Sequence, residues 1–336
     1  MNQVKERNIS LDFMKCISAL GVIFVHAQFP GSPGKLLSAV GSVGVLFFFI
    51  ISGYAAHGTR ETVCPKLMKR FRRNLLLTIC AAAVYLLVKL AELHQNGETA
   101  YALQSAVRQP RFYVRLLLLG DLDLIHGDPL WFMFALLYGY LIFWLIARFG
   151  WQRAACKAMP FFILLRIGMS IYKYAVDAEW HLCSNALVCA LPMMLLGYVI
   201  AEKEDALRRL PFRAVILSCI LSAIGTGITV FVNVFGYNLS PVFKIWAAAA
   251  FFVLALRKPQ LHSIWKPVAW IGRACSLHVY LWHMPLIVLL YPVLEQRLPE
   301  TVFPWAFPLI IAAAAVILAA GIAVCGSCIR TRRTTA

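Results

Sequence analysis

The chain has 336 residues, of which 61% are hydrophobic and 14% are charged, and its formal net charge at pH 7 is +17. Soluble globular proteins carry about 25% charged residues, so this composition excludes soluble, disordered and collagen-like classes. Together with a mean hydropathy of +0.75, it predicts an all-α integral membrane protein, because only lipid can cover so much apolar surface.

Apolar runs that are long enough to cross a bilayer recur along the whole chain. We predict about ten transmembrane helices, covering residues 11–28, 36–55, 74–93, 130–148, 159–172, 184–201, 214–232, 242–256, 274–291 and 303–327. The first is expected to stay in the membrane, because its apolar run of about 18 residues is too long for a signal peptide. The stretches between the runs are too short for a soluble domain, so residues 1–336 are predicted to form one transmembrane domain.

The basic residues indicate how the chain is oriented. If the N-terminus is cytoplasmic, 22 of the 32 Lys and Arg residues face inward and six face outward, with four inside the spans. This asymmetry is what the positive-inside rule expects, and it predicts that both termini lie in the cytoplasm. The net charge is therefore an orientation signal, and we do not expect nucleic-acid binding.

The ten cysteines do not form a recognisable framework. Several lie inside predicted spans, where Cys behaves as a small hydrophobic residue. Cys325 and Cys328 form a CxxC pair, but no second pair or His pair accompanies them, and the cytoplasm is reducing. We predict neither disulfides nor a metal site.

Residues 94–129 form the longest predicted segment outside the spans. The segment contains an apolar run of its own, at residues 112–119, followed by several polar residues. Connections of this length are often functional. Two placements stay open: along the outer face, or as a re-entrant segment shielded by protein.

Ionisable side chains inside spans are costly and are functional candidates by default. Eight are present: Asp12, Lys15, His26, Lys89, Arg166, Lys244, His278 and His283. Lys15 and His26 are eleven residues apart, about three helical turns, so they share one face and are separated by roughly 16 Å along the axis. Asp12 lies three residues before Lys15, a spacing that permits an ion pair. The alternative is that Lys15 reaches the headgroups and His26 caps the helix.

The sequence RNISLDFMKCISALGVIFVHA at residues 7–27 resembles the opening of the membrane-bound acyltransferase-3 family. The first helix of that family carries a basic residue, ten intervening positions and a histidine, which match Lys15 and His26. Five further segments resemble the family in the same order: VGVLFFFIISGY (43–54), KRFRR (69–73), PLWFMFALLYGYL (129–141), NALVCALPMMLLGY (185–198) and SLHVYLWHMPLI (276–287). The resemblance covers nearly the whole chain.

The resemblance implies a transferase that moves an acyl group, usually acetyl, from cytoplasmic coenzyme A to a hydroxyl of a sugar or other cell-envelope glycan. Acyl-CoA is then a donor substrate, and no permanently bound cofactor is expected. His26 is our candidate catalytic base or acyl carrier, because an imidazole with a pKa of about 6.5 can accept a hydroxyl proton. Lys15 and Asp12 are expected to support it, and His283 matches the YlxH ending of a family motif.

Arg70, Arg72 and Arg73 are candidates to bind the phosphates of coenzyme A, since arginines form charge-assisted bonds to phosphate. The alternative is that this region is basic for topological reasons alone. Six further residues are candidates to bind substrate: Ser52, Tyr54, His126, Trp131, Arg166 and Tyr280. Trp131 is equally explained as an interfacial anchor.

Two features depart from the family pattern. The family most often has Arg at the position of Lys15, and a proline commonly follows the basic segment, whereas NLLLTIC at residues 74–80 has none. Two other functions stay open. One is a permease or flippase for a small polar molecule such as an amino acid, on the same scaffold, and the other is a structural subunit without catalysis.

Overall fold

The computed structural model describes residues 7–97, 101–232 and 238–335, without the side chains of residue 102 and of 328–335. Within these ranges the chain is helical and has no strand. The helices are α1 Ile9–His26, α2 Gly31–Gly41, α3 Val43–Tyr54, α4 Arg60–Gln95, α5 Tyr101–Val107, α6 Pro110–Leu119, α7 Trp131–Phe149, α8 Gln152–Ala175, α9 Leu191–Glu202, α10 Glu204–Arg209, α11 Phe212–Phe231, α12 Ser240–Arg257, α13 Lys266–Ala274, α14 Ser276–Arg297 and α15 Phe303–Thr335.

The predicted fold class is confirmed. In the described part of the chain, nine helical segments are long and apolar enough to cross a membrane, and the helical segment Ala186–Glu202 is apolar but shorter. The protein is therefore a multi-pass membrane protein, and these ten segments match the ten predicted runs. The cytoplasmic placement of both termini stays a prediction.

Several element boundaries differ from the prediction. The run at 36–55 is divided between α2 and α3, which meet at Ser42. The basic segment before residue 74, which we expected to be a loop, is the first part of α4, a continuous helix of 36 residues. Hydropathy marks the apolar part of a helix, but backbone hydrogen bonds continue through polar residues as well. The segment 94–129 contains the short helices α5 and α6.

The chain forms two compact units, each assembled from separate stretches. The first contains Met1–Phe48, Lys203–Phe231 and Phe243–Ala336, and the second contains Phe49–Glu202 and Val232–Val242. In the first unit, α1 packs against α13, α2 and α14, and buried residues of α1, α14 and α15 share one apolar core that includes Ile23, Val279 and Ile311. In the second unit, α7 packs against α4.

The start of α1 is held by both local and long-range bonds. The side chain of Asn8 accepts from the backbone N–H of Leu11 and thereby caps the helix. The same side chain donates to the carbonyl of Ala255 at 2.9 Å, and the backbone N–H of Ile9 donates to the carbonyl of Pro259 at 2.8 Å. These bonds fix the first turn of α1 beside the end of α12.

Helix α13 approaches α1 closely at Gly272. A Cβ atom at this position would overlap the backbone carbonyl of Asp12 and would crowd the backbone nitrogen of Cys16. Small residues permit such contacts between membrane helices. The sequence of α13 therefore allows its backbone to pack directly on the turn of α1 that contains Asp12.

We predict that Gly272→Ala destabilises the protein, because the added methyl group forces the backbones of α1 and α13 apart. Overpacking of this kind costs about 1–3 kcal/mol. The measurement is the thermal unfolding midpoint of purified protein in a fixed lipid or detergent.

Gly321→Ala is the matched control, since Gly321 lies inside α15 and a Cβ there would meet no atom within 4 Å. We expect this variant to unfold at or slightly above the wild-type temperature. Equal midpoints for both variants would contradict the close contact.

Candidate functional site

An ion cluster surrounds Asp12 in the first turn of α1. The carboxylate is buried, with 7% of its side chain exposed, and its two oxygens bind different cations. Arg7 Nε lies 2.5 Å from Oδ2, and Lys15 Nζ lies 3.0 Å from Oδ1. Asp12 therefore neutralises Lys15, as the spacing of three residues predicts, and also holds Arg7 against the helix. The role of either residue in the reaction stays a prediction.

A cavity of about 470 Å³ opens beside this cluster. Its volume is within the range of about 300–1,000 Å³ that is common for small-molecule sites. It is lined by Arg7, Ile9, Asp12, Gln260, Lys266, Ala269, Trp270 and Arg273. The cavity is therefore lined by three cationic side chains and by the indole of Trp270. The close contact between α13 and α1 at Gly272 places the α13 residues beside this cavity.

Two histidines meet near the other end of α1. The ring centroids of His26 and His283 are 5.1 Å apart, although 256 residues separate them in the sequence. His283 is fully buried, and its Nδ1 lies 2.6 Å from the carbonyl oxygen of Tyr280. A carbonyl only accepts, so Nδ1 carries the proton and donates it. When the ring is neutral, Nε2 carries the lone pair, and this atom has no hydrogen-bond partner among the described residues.

Tyr280 contacts this histidine pair through its ring as well as its backbone. It is buried, and its ring centroid is 5.9 Å from that of His283 in an edge-on arrangement. The ring of Phe48 also lies near that of Tyr280, with the centroids 6.5 Å apart. The predicted residues Tyr280, His26 and His283 are therefore brought together.

In the second unit, His126 belongs to a charged triad. Its Nε2 lies 2.7 Å from Glu92 Oε2, and Lys89 Nζ lies 3.0 Å from the same oxygen. The backbone of His126 is left-handed, with φ of 55°, where it ends a short 3₁₀ turn. The contacts of this residue are thus with α4, and its predicted binding of substrate stays a prediction.

A larger polar cluster joins the segment after α6 to the segment after α8. Arg115 Nε donates to Asp121 Oδ2 at 2.6 Å, and its Nη1 donates to Glu179 Oε2 at 2.8 Å. The backbone N–H of Asp123 donates to Asp121 Oδ1 at 3.1 Å. The Nε2 atom of the buried His181 lies 3.7 Å from Asp121 Oδ1 and 3.5 Å from Asp123 Oδ1.

The local environment changes the proton affinities of this cluster. Burial, together with repulsion from Asp128 and Asp121, raises the pKa of Asp123 to about 7. Burial lowers the pKa of His181 below its ordinary value, although the Asp121 carboxylate opposes the change. Burial is the largest single influence on Asp121 and raises its pKa, but the hydrogen bonds from Arg115 and the Asp123 backbone, together with the charges of His181 and Arg115, outweigh burial and hold that pKa below its ordinary value.

The remaining candidates lie in the second unit. Trp131 begins α7, and its ring centroid is 6.3 Å from that of Trp180. Ser52 and Tyr54 are half-buried at the end of α3. Arg166 donates to the backbone carbonyls of Cys183 and Val188, so its charge has partners within the fold.

The three predicted phosphate-binding arginines also lie in the second unit, within α4. Arg72 and Arg73 are exposed, and Arg70 is half-buried. Arg73 Nε lies 3.4 Å from the side-chain oxygen of Asn74. Their binding of coenzyme A stays a prediction.

The sequence pattern does not single out the cavity residues Arg7, Lys266, Trp270 and Arg273, nor His181. In the sequence, Arg7, Lys266 and Arg273 are only three of the 22 inward-facing basic residues. Asp12, an acidic residue in the first turn of a hydrophobic helix, is the sequence feature that could have indicated them. A buried carboxylate requires basic partners, so distant Lys or Arg residues could be expected near it. His181 carries no local pattern that separates it from an ordinary loop residue.

These features define the class of the protein: a multi-pass membrane protein whose first helix carries an ion cluster at one end and, at the other, an exposed histidine in contact with the buried His283 of α14. A family model described as an acyltransferase domain, acyltransferase-3, matches residues 8–324, nearly the whole chain. The chain belongs to the acyltransferase-3 family and is an acyltransferase. Comparison with curated proteins and with solved structures gives no significant match.

We predict that Asp12→Asn destabilises the protein by about 1–3 kcal/mol, since it removes a buried carboxylate that binds two cations. The cost stays below that of a fully buried pair because Arg7 is 54% exposed and Lys15 is 25% exposed, so both can regain water. Thermal unfolding in a fixed lipid measures the change.

Asp205→Asn on α10 is the control, because this carboxylate is exposed. We expect no more than a small change in its unfolding temperature. If both substitutions lower the midpoint equally, the ion cluster does not stabilise α1.

Proposed function

We propose that this acyltransferase moves an acyl group, most simply acetyl, from cytoplasmic acyl-CoA to a hydroxyl of a cell-envelope glycan. We place it in the bacterial inner membrane with both termini in the cytoplasm, in keeping with the distribution of its basic residues. The observation that carries the proposal is the ring contact between the exposed His26 and the buried His283 in a chain of the acyltransferase-3 family.

The pair supplies the base that acyl transfer to a hydroxyl requires. His26 accepts the proton of the acceptor hydroxyl while the hydroxyl oxygen attacks the carbonyl carbon of the thioester. A C–O bond forms, the C–S bond breaks, and the imidazolium returns the proton to the departing thiolate. His283, whose Nδ1 is held by the Tyr280 carbonyl, offers its Nε2 lone pair to orient His26 and to share the positive charge that develops.

The cavity beside Asp12 suits the nucleotide end of coenzyme A. The cations of Arg7, Lys266 and Arg273 match its phosphates, and the Trp270 indole offers a face for the adenine ring. In the predicted orientation this end of α1 faces the cytoplasm, where acyl-CoA is available. We therefore favour this cavity over the arginines of α4 as the donor site.

The length of α1 separates the donor cavity from the histidine pair. Asp12 and His26 are 14 residues apart, or about 21 Å along a helix axis. The pantetheine arm of the donor would extend along α1 past Lys15, which is positioned by Asp12. We propose that Lys15 stabilises negative charge on the thioester during this passage.

We predict that His26→Ala lowers the rate of acyl transfer by at least about 100-fold, the lower range for loss of a general base. His283→Asn is expected to lower kcat less, by about 10-fold or more, because it acts through His26. The assay is release of free coenzyme A by purified protein in lipid vesicles, with envelope glycan supplied as acceptor.

His278→Asn is the matched control, since His278 lies on α14 only five residues before His283 and is half-buried. Its activity should equal that of the wild type at equal thermal stability. Retention of full activity by His26→Ala would remove the proposed base. If the wild type consumes no thioester with any glycan extract, uptake of small polar molecules becomes the function to test.

We predict that Lys266→Ala and Arg273→Ala each raise the KM for acetyl-CoA about tenfold with little change in kcat, because each removes a charge-assisted bond to phosphate. With an N-acetylcysteamine thioester, which lacks the nucleotide, neither variant should differ from the wild type. Steady-state kinetics with both donors measures this.

Arg209→Ala, an exposed arginine of α10, serves as the control for loss of charge. The triple variant Arg70→Ala, Arg72→Ala, Arg73→Ala tests the competing site in α4. If the triple variant alone raises the KM for acetyl-CoA, the donor binds at α4 and not in the cavity beside Asp12.

A further inference from the structure

Asp121, Asp123 and His181 place three potential metal-ligand atoms close together in the second unit. One ligand atom from each residue lies within 4.8 Å of the others. Asp121 and Asp123 follow α6, which ends at Gly120, and His181 belongs to the 3₁₀ turn Trp180–Leu182. The three residues therefore join two connections that are far apart in the sequence.

His181 distinguishes this cluster from an ordinary group of surface acids. Its side chain is buried, with 1% of the residue exposed. Its Nε2 faces both carboxylates, yet it has no hydrogen-bond partner in the described part of the chain. A buried polar nitrogen without a partner is costly and calls for an explanation.

The distances match two ligands of one ion better than a hydrogen bond. The separations of 3.5 and 3.7 Å from Nε2 to the two carboxylate oxygens exceed the usual hydrogen-bond length. Metal–ligand bonds of about 2.0–2.2 Å in tetrahedral geometry place neighbouring ligand atoms roughly 3.4 Å apart. All three ligand atoms lie within 4.8 Å of one another, so an ion bound by all of them would draw the widest pair closer together.

The surroundings already orient one of the ligands. Arg115 binds Oδ2 of Asp121 and leaves Oδ1 directed at His181. The same arginine binds Glu179, two residues before His181, and so brings the two connections together. Ligating carboxylates in metal sites are commonly held by such outer hydrogen bonds.

We propose that Asp121, Asp123 and His181 bind a divalent transition-metal cation, Zn²⁺ or Mn²⁺, which links the connection after α6 to the connection after α8. One imidazole nitrogen and two carboxylate oxygens form a borderline ligand set that suits these ions better than Ca²⁺ or Mg²⁺, which prefer oxygen alone. The site is separate from the proposed acyl-transfer chemistry, and its loading can be measured without any turnover.

The test uses full-length protein in lipid nanodiscs, without a polyhistidine tag, stripped with a chelator and dialysed. Zn²⁺ is titrated by calorimetry, and thermal unfolding is recorded with and without the ion. We expect one ion to bind per chain with an affinity in the micromolar range or tighter, and the unfolding temperature to rise accordingly. With Mn²⁺, the electron spin echo should show modulation from one coordinated imidazole nitrogen.

His181→Asn is expected to weaken Zn²⁺ binding at least 100-fold and to remove the nitrogen modulation. Asp123→Asn removes one ligand oxygen at a side chain that is 40% exposed, so we expect it to fold and to weaken binding at least tenfold, which keeps the test decisive if His181→Asn does not fold. Asp177→Asn is the matched control, an exposed acid four residues before His181 whose loss should change nothing.

The proposal is overturned if stripped wild-type protein binds Zn²⁺ no more tightly than Asp123→Asn, or if Mn²⁺ binds without nitrogen modulation. It is also overturned if Ca²⁺ or Mg²⁺ stabilises the protein as strongly as Zn²⁺ does, since an acidic surface would give that result. Loss of metal binding in the variants with full retention of acyl transfer would support a structural site that is independent of the proposed function.

Discussion

The direct packing of α13 on α1 at Gly272 is the contact on which the first unit depends. It brings Lys266, Trp270 and Arg273 beside Asp12, so it forms the cavity. Only Cys275 separates α13 from α14, so the same contact also sets where α14 begins. One short stretch of chain thus shapes the cavity beside Asp12 at one end of α1 and brings His283 toward His26 at the other.

Charges within the apolar helices are balanced in three different ways. Asp12 binds two cations, Lys89 pairs with Glu92 on its own helix, and Arg166 donates to backbone carbonyls. Each arrangement avoids the large cost of an unpaired charge in lipid. Among the described residues, the imidazole of His283 forms a hydrogen bond through Nδ1 only, so its Nε2 atom is the one available to another group.

The sequence predicts what depends on local spacing. The pairing of Asp12 with Lys15 follows from three residues on one helix, and the ten apolar runs follow from hydropathy. The placement of Arg7 and Lys266 around one cavity, and the approach of Asp121 to His181, depend on tertiary packing between distant segments, which no local pattern encodes. The length of α4 was missed because hydropathy measures transfer into lipid, whereas helix continuity depends on backbone hydrogen bonds.

Helix α4 has a further physical consequence. Its 36 residues extend about 54 Å, whereas the hydrocarbon core is about 30 Å thick, so roughly four turns lie outside the core. The polar turns before Asn74 carry Lys66, Lys69, Arg72 and Arg73, all exposed. Each such charge gains about 1 kcal/mol beside anionic headgroups. The depth and tilt of the protein therefore depend on how much anionic lipid the surrounding leaflet contains.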